Sequence, residues 1–386
     1  MSQGEDHAVD PDVSSTTTTT PAAAADPFRL LQLLGIVVVG LLAAVMIGFI
    51  ALDWLRLYPY ADSYSVVETF YSATGIDPGI GFVFEQVMIV GQWMDYGFGT
   101  NVFQHPFMWR SIATGVLIGI VAPLVGTYLV HRQMALIGET LAHTAFAGVA
   151  VGLIVIGVTG LGSGSTGLEG SLLFIALVVS ILGALAVQWL TERTNTFGDV
   201  PIAIMLSGSF AVGTLLISWG RGTVPVSIDI EAYLFGSLAV VTAGGARLMA
   251  VLSVVVVGVV ALTYKQLLFI TFDEQAARVA QLNVGWYNTL LVVMTAVVVV
   301  GAMQVLGVIL VAGMLVIPVA AASQIARSFR ETLYLSILIG QVSVLGGFAF
   351  AISQSLPSGG SIIVVAILIY VFAVVFSERS AALSMH

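Results

Sequence analysis

Apolar residues run through this chain in blocks of about 17 to 25, with short polar interruptions, along most of its length. A block of that length covers ~30 Å of hydrocarbon as a helix, and the backbone of a helix satisfies its own hydrogen bonds there. The pattern predicts a first helix over roughly Phe28 to Leu52. From Pro106 onward it predicts nine more, near 107–130, 134–158, 171–190, 199–219, 245–264, 286–302, 304–323, 331–352 and 361–377. The expected fold is therefore an all-α polytopic membrane protein of about ten transmembrane helices, nine in a core and one extra at the N-terminus. The long run from Gly285 to Ala326 is divided near Gly301 on length alone.

Two stretches depart from this pattern. Residues 1–27 hold a threonine run, an alanine run and five acids without Lys or Arg, and read as a disordered tail. They lack the basic start of a secretory signal, so the first apolar run reads as a retained helix over 28–55. Residues 56–105 mix Tyr58, Tyr60, Tyr64, Tyr71, Trp93 and Tyr96 with scattered acids, which fits an interfacial loop with short amphipathic helices. The remainder, 106–380, is the core.

Composition agrees with the pattern: 58% of residues are hydrophobic, 9% are charged, and mean hydropathy is +1.05. The net charge of −9 is local, because ten of the 21 acids lie in the tail and in the 56–105 loop. It points to no nucleic-acid partner. Without cysteine, any metal chemistry must use nitrogen and oxygen ligands. Placing both termini in the cytoplasm puts Arg29, Arg132, Arg193, Lys265, Arg278, Arg327, Arg330 and Arg379 inside. Only Arg56, Arg110, Arg221 and Arg247 are left outside, the asymmetry expected of a multi-pass protein in the cell membrane.

Candidate chemistry lies in the second core helix. Glu139 and His143 are four residues apart and share one helix face. Counted from Arg132 they lie about 10 and 16 Å along the helix, close to mid-membrane. Placing such groups in hydrocarbon is costly, which points to a polar pathway rather than to internal hydrogen bonding alone. A proton relay and a transition-metal site both fit the pair. One chain supplies too few ligands for tight binding, whereas a two-fold dimer would bring two carboxylates and two imidazoles together. Incomplete coordination suits a conduit that must also release its ion.

Longer motifs surround the pair: Ile118-Gly-Ile-Val-Ala-Pro-Leu-Val-Gly-Thr-Tyr-Leu-Val130, Met134-Ala-Leu-Ile-Gly-Glu-Thr-Leu-Ala-His-Thr-Ala-Phe-Ala-Gly-Val149, Glu231-Ala-Tyr-Leu-Phe-Gly-Ser-Leu238 and Gly307-Val-Ile-Leu-Val-Ala-Gly-Met-Leu-Val-Ile-Pro-Val-Ala-Ala-Ala322. Over roughly 107–377 the chain resembles the integral membrane permeases of ABC importers for zinc, manganese and iron(II). The resemblance implies a homodimer, a separate ATPase subunit and an extracellular metal-binding protein as partners, with membrane lipid around it. It implies a transported divalent metal, zinc or manganese ahead of iron, and no permanently bound cofactor. The family acid at position 139 is normally Asp, so Glu139 extends the reach of the carboxylate by one methylene. The segment Phe272 to Leu282 looks like the short cytoplasmic helix that such permeases present to the ATPase. Asp273 and Glu274 stand at its start, and Ala276, Ala277 and Ala280 form a small-residue face. A glycine is frequent where Gln281 stands.

No Gly-x-x-x-x-Gly-Lys-Ser/Thr occurs, so ATP hydrolysis is expected on another chain and this one is not an enzyme. His105 is a possible outer-mouth residue, and His131 an inner-interface one. The first helix and its loop lie outside the resemblance and read as accessory, with no deep ionisable residue. The loop acids Asp62, Glu68, Asp77, Glu85 and Asp95 would attract a basic patch on a binding protein. Two other readings compete. An ABC permease for a metal chelate would not need the acid and histidine pair, and a proton-coupled carrier should show inverted halves and broken helices.

Overall fold

The computed structural model describes residues 27–61, 76–159, 168–193, 200–220, 230–238 and 241–377, and its elements of more than one turn are all α-helices. In chain order they are α1 (Pro27–Ala61), α2 (Ile76–Phe98), α3 (Pro106–His131), α4 (Ala135–Thr159), α5 (Leu168–Arg193), α6 (Val200–Gly220) and α7 (Ile230–Phe235). The second half holds α8 (Ala243–Phe272), α9 (Glu274–Val279), α10 (Val284–Leu306), α11 (Val311–Ile325), α12 (Phe329–Gln354) and α13 (Ser358–Val375). Among the described residues nine helices are long and apolar enough to cross a membrane, and α11 is a shorter apolar helix. Together these are the ten expected segments. The tail before Pro27 and most of the loops at 160–170 and 220–230 lie outside the described residues.

α3 sits at the centre. Of its span 89% is buried inside the protein, against 17% for α6. Around it pack α12, α8, α11, α10 and α1, while α4 packs chiefly on α5 and α6. Small residues permit the close approaches: a Cβ at Gly126 would collide with the Leu315 carbonyl, and one at Gly340 with that of Gly119. Inside the bundle, Gln341 Nε2 donates to the Val116 carbonyl at 2.7 Å, and Thr127 and Ser336 share a hydroxyl hydrogen bond at 3.1 Å.

The division of the long apolar run falls at Gly307, not near Gly301. Gly301 is buried within α10, where its missing side chain makes room for Met249 of α8. Gly307 has φ +77°, a conformation that ends the helix and that side chains rarely adopt. The chain then pairs with the end of α7, Val308 N–H donating to the Tyr233 carbonyl at 3.0 Å and Ile309 N–H to that of Leu234 at 3.3 Å. Length could not locate this break because the residues on both sides of it are equally apolar.

The described residues of the N-terminal part form longer helices than expected. Among the described residues, 76–98 form a single 23-residue helix, α2, longer than the short amphipathic helices expected there, and residues 62–75 lie outside the described residues. α1 extends past Leu52 to Ala61, and Asp53, near the end of its apolar span Gln32–Arg56, is buried against the rest of the protein. Asp53 receives two hydrogen bonds from Arg110 of α3, from Nε at 2.8 Å and Nη2 at 2.9 Å. Phe49 packs on Phe84 of α2 and Trp109 of α3 at ring-centroid distances of 5.9 and 6.2 Å. Toward the other end of α1, Gln32 Nε2 donates to Glu331 of α12 at 3.3 Å. The opposite face, including Leu34, Val37, Leu41 and Val45, is exposed, as suits contact with lipid.

Candidate metal pathway and coupling segment

α4 begins after a three-residue turn, Arg132–Met134, in which Gln133 takes φ +59° and Met134 N–H donates to the Leu129 carbonyl at 2.9 Å. The helix is then fixed by small contacts on two sides. Gly183 of α5 accommodates Thr144, Gly148 accommodates Ala176, and Gly213 of α6 accommodates Phe146. The hydroxyls of Thr140 and Thr144 fold back on carbonyls one turn earlier, at 3.1 and 2.8 Å, and so present no unpaired donor to the apolar surroundings.

Glu139 and His143 lie one and two turns into this helix, both half-buried. Glu139 acts electrostatically on the imidazole. The imidazole lies 5.0 Å from the ring of Phe210 on α6, which in turn stacks on Phe146 at 5.7 Å. Nδ1 of His143 is buried and has no hydrogen-bond partner among the described residues. A buried polar atom without a partner is costly, so this nitrogen is suited to a ligand that the described residues do not supply. Among the described residues no group of three or more His, Asp or Glu side chains gathers to hold a metal, so the pair stands alone. A carboxylate oxygen and an imidazole nitrogen form a donor set acceptable to manganese and zinc.

His105 is far from this pair. It is exposed at the start of α3, where it stacks on Phe107 at 5.6 Å, while α4 starts from the opposite end of α3. The loop leading to His105 is held by Asp95, one of the acids expected to attract a partner. Its carboxylate instead accepts hydrogen bonds from the Val102, Phe103 and Gln104 amides and the Thr100 hydroxyl, at 2.8 to 3.0 Å. Burial on its own would raise the pKa of Asp95, but these four donors outweigh it and hold the group at about 2. Glu85 is exposed on α2, and Asp62 and Glu68 lie outside the described residues.

At the other end of the bundle, α9 is a six-residue helix capped by Asp273, which accepts from the Ala276 amide at 2.8 Å. Glu274 pairs with Arg278 at 2.6 Å. Ala277 does not belong to an outward small-residue face: it is fully buried against Ile270 and Val284. The outward positions are Gln275, Arg278, Val279 and Ala280. Gln281 has φ +60°, which explains why a glycine suits that position.

Sequence reasoning treated Arg132 as a boundary marker only. Its guanidinium donates to Asn288 Oδ1 of α10 at 2.7 Å and lies 3.8 Å from Glu274. Burial pushes its pKa down and Glu274 pushes it back up. No spacing rule would have revealed this, since the partners are more than 140 residues away in the chain. Beside it, His131 holds its Nδ1 2.7 Å from the Thr127 carbonyl and meets Phe272 and Phe329 edge-on.

Comparison with known proteins places this geometry in context. The family described as the ABC 3 transport family matches residues 104–377. The chain is 29% identical over 284 residues to the manganese transport system membrane protein MntC of Listeria monocytogenes, covering 73% of this chain and 95% of that one. It is 23% identical to the high-affinity zinc uptake system membrane protein ZnuB of Haemophilus influenzae, covering 70% and 98%. Among solved structures it is similar to PsaBC from Streptococcus pneumoniae in complex with Fab, with a TM-score of 0.64, 26% identity, and coverage of 77% of this chain and 99% of that one. The family match leaves out the residues before 104.

Proposed function

We propose, from the premise that this chain belongs to the ABC 3 transport family, that it is the membrane-spanning permease of an ATP-driven importer of a divalent transition metal. Relatives named for manganese and for zinc both support this cargo class. The observation that carries the reading is the pair on α4: Glu139 and His143 half-buried within a membrane helix, with Nδ1 of the imidazole buried and unpaired among the described residues. Oxygen and nitrogen donors favour a bare ion over a bulky chelate. A second copy of the chain related by a two-fold axis would double the donor set to four, enough for zinc and a partial shell for manganese. The metal is handed over by an extracellular binding protein near the His105 end, and ATP is hydrolysed on a separate subunit that bears on α9. Both termini are then cytoplasmic, in the cell membrane.

The test measures uptake of radioactive manganese and zinc by Glu139→Gln and His143→Ala at matched protein levels. Loss of uptake by roughly tenfold or more in both is expected, since each removes a donor from an already sparse shell. Removing a charge at mid-membrane does not hinder insertion. Wild-type uptake in both variants would take the pair out of the pathway. Glu139→Asp retains the charge with a shorter reach and is expected to transport, with a shifted manganese-to-zinc ratio.

A further inference from the structure

We propose that Arg132 is a positioning residue that carries movement of α9 to the helix bearing Glu139 and His143. The inference rests on the reading that a nucleotide-hydrolysing subunit bears on α9. One guanidinium group, 8% exposed, joins three parts of the fold. Its backbone forms the α3–α4 turn, its Nη2 donates to Asn288 of α10 at 2.7 Å, and the same nitrogen lies 3.8 Å from Glu274 in the first turn of α9. The preceding residue repeats the connection with rings. His131 lies 6.2 Å from Phe272, the last residue of α8, and 5.0 Å from Phe329, the first residue of α12.

The link from Arg132 to α4 is stiff. Only Gln133 and Met134 separate the two, Gln133 is in the left-handed region, and the Met134 amide is tied back to Leu129. α4 then runs without proline to Thr159. Glu139 and His143 stand roughly 6 and 12 Å along it from Ala135. A displacement of the turn is therefore delivered to the metal donors by a rigid rod.

The two contacts of Arg132 differ in kind. The bond to Asn288 is short and holds the group in place. Glu274 is 41% exposed and also engages Arg278, so its pull on Arg132 is weak and can change as α9 shifts, without unfolding anything. Anchored on one side and adjustable on the other, Arg132 reports the position of α9 to α4.

The experiment uses the full chain with its ATPase subunit in proteoliposomes, supplied with the metal-binding protein on the outer side, and compares Arg132→Gln, Glu274→Gln and the double variant. It reads Mn(II) moved per ATP hydrolysed, and for Arg132→Gln also basal hydrolysis and Mn(II) binding to the detergent-solubilised permease. Arg132→Gln is expected to keep basal hydrolysis and Mn(II) binding while Mn(II) per ATP falls roughly fivefold. The double variant should be no worse than the poorer single, because both act through one contact. A purely structural defect would instead lower Mn(II) binding and the yield of complex together, which overturns the relay. Should Arg132→Gln fail to fold, Glu274→Gln, changed at a half-exposed site and scored per assembled complex, decides alone. Wild-type Mn(II) per ATP in Glu274→Gln, or fully additive losses in the double variant, overturns the relay. A different result, a wild-type complex whose hydrolysis ignores Mn(II) and Zn(II), overturns metal import and the relay with it.

Discussion

Replacing Asp53 by Asn tests whether the N-terminal helix is a structural part of the bundle. The Asp53 side chain is 4% exposed and its partner Arg110 19%, and two hydrogen bonds join them. Removing one member of a buried pair costs about 3–5 kcal/mol, mostly because the other charge is left uncompensated. Partial exposure of Arg110 lets water offset some of that, which places Asp53→Asn near ~3 kcal/mol. Arg247 of α8 makes the expectation sharper, because it attracts Asp53 and repels Arg110. Without Asp53, Arg110 and Arg247 keep their mutual repulsion and lose the carboxylate that offsets it. Without Arg110, Asp53 keeps the longer-range attraction of Arg247. Arg110→Gln should therefore cost at least about 1 kcal/mol less than Asp53→Asn, and the double variant Asp53→Asn/Arg110→Met should regain part of the loss. Denaturant unfolding of the purified protein in detergent, followed by tryptophan fluorescence, reads all three, since Trp109 lies beside Phe49 at this junction. A cost below ~1 kcal/mol for Asp53→Asn, or a larger one for Arg110→Gln, would refute the electrostatic account.

Asp95→Asn should lower stability by about 1–2 kcal/mol near neutral pH, as the carboxylate held at about 2 in the folded chain ionises near 4 when unfolded. With its folded value depressed, that contribution is full above about pH 4 and disappears as pH falls toward 2, so the curves of wild type and variant should converge there. Gln281→Gly should stabilise by about 1 kcal/mol by relieving a left-handed residue, read as a raised unfolding midpoint. Ala277→Leu should overpack the pocket formed with Ile270 and Val284, at a cost of about 1–3 kcal/mol. Val279→Asp, on the outward side, should leave stability alone and weaken co-purification with the ATPase, and the reverse outcome for the two would invert the orientation of α9.

The ten apolar segments were legible because the need to satisfy backbone groups in hydrocarbon leaves a signature tens of residues long. Where a segment ends is a different matter. Gly301 and Gly307 look alike in a string of apolar residues, yet one makes room for Met249 and the other turns the chain toward Tyr233. The distinction belongs to the neighbours of each glycine. Ala277 and Ala280 likewise differ by three positions, and only the fold of α8 and α10 around α9 decides that the first points inward.

Glu139 and His143 were legible for a stronger reason: a charge or imidazole inside an apolar run carries its cost wherever the helix packs. The same rule does not mark Asp53, because a carboxylate near the end of an apolar run can also face water. A charge near the end of a span reads as an interfacial residue, whereas Asp53 is met by Arg110 from another helix. Charge counting places Arg110 on the outer side of the membrane, which says nothing about its partner. The gap is the same for both residues, since a buried ion pair hides each of its members from any reading that takes residues singly. It also alters the standing of the N-terminal extension: a helix that supplies a buried partner to α3, the central element of the core, is part of what holds that element, and its loss should be felt in the core.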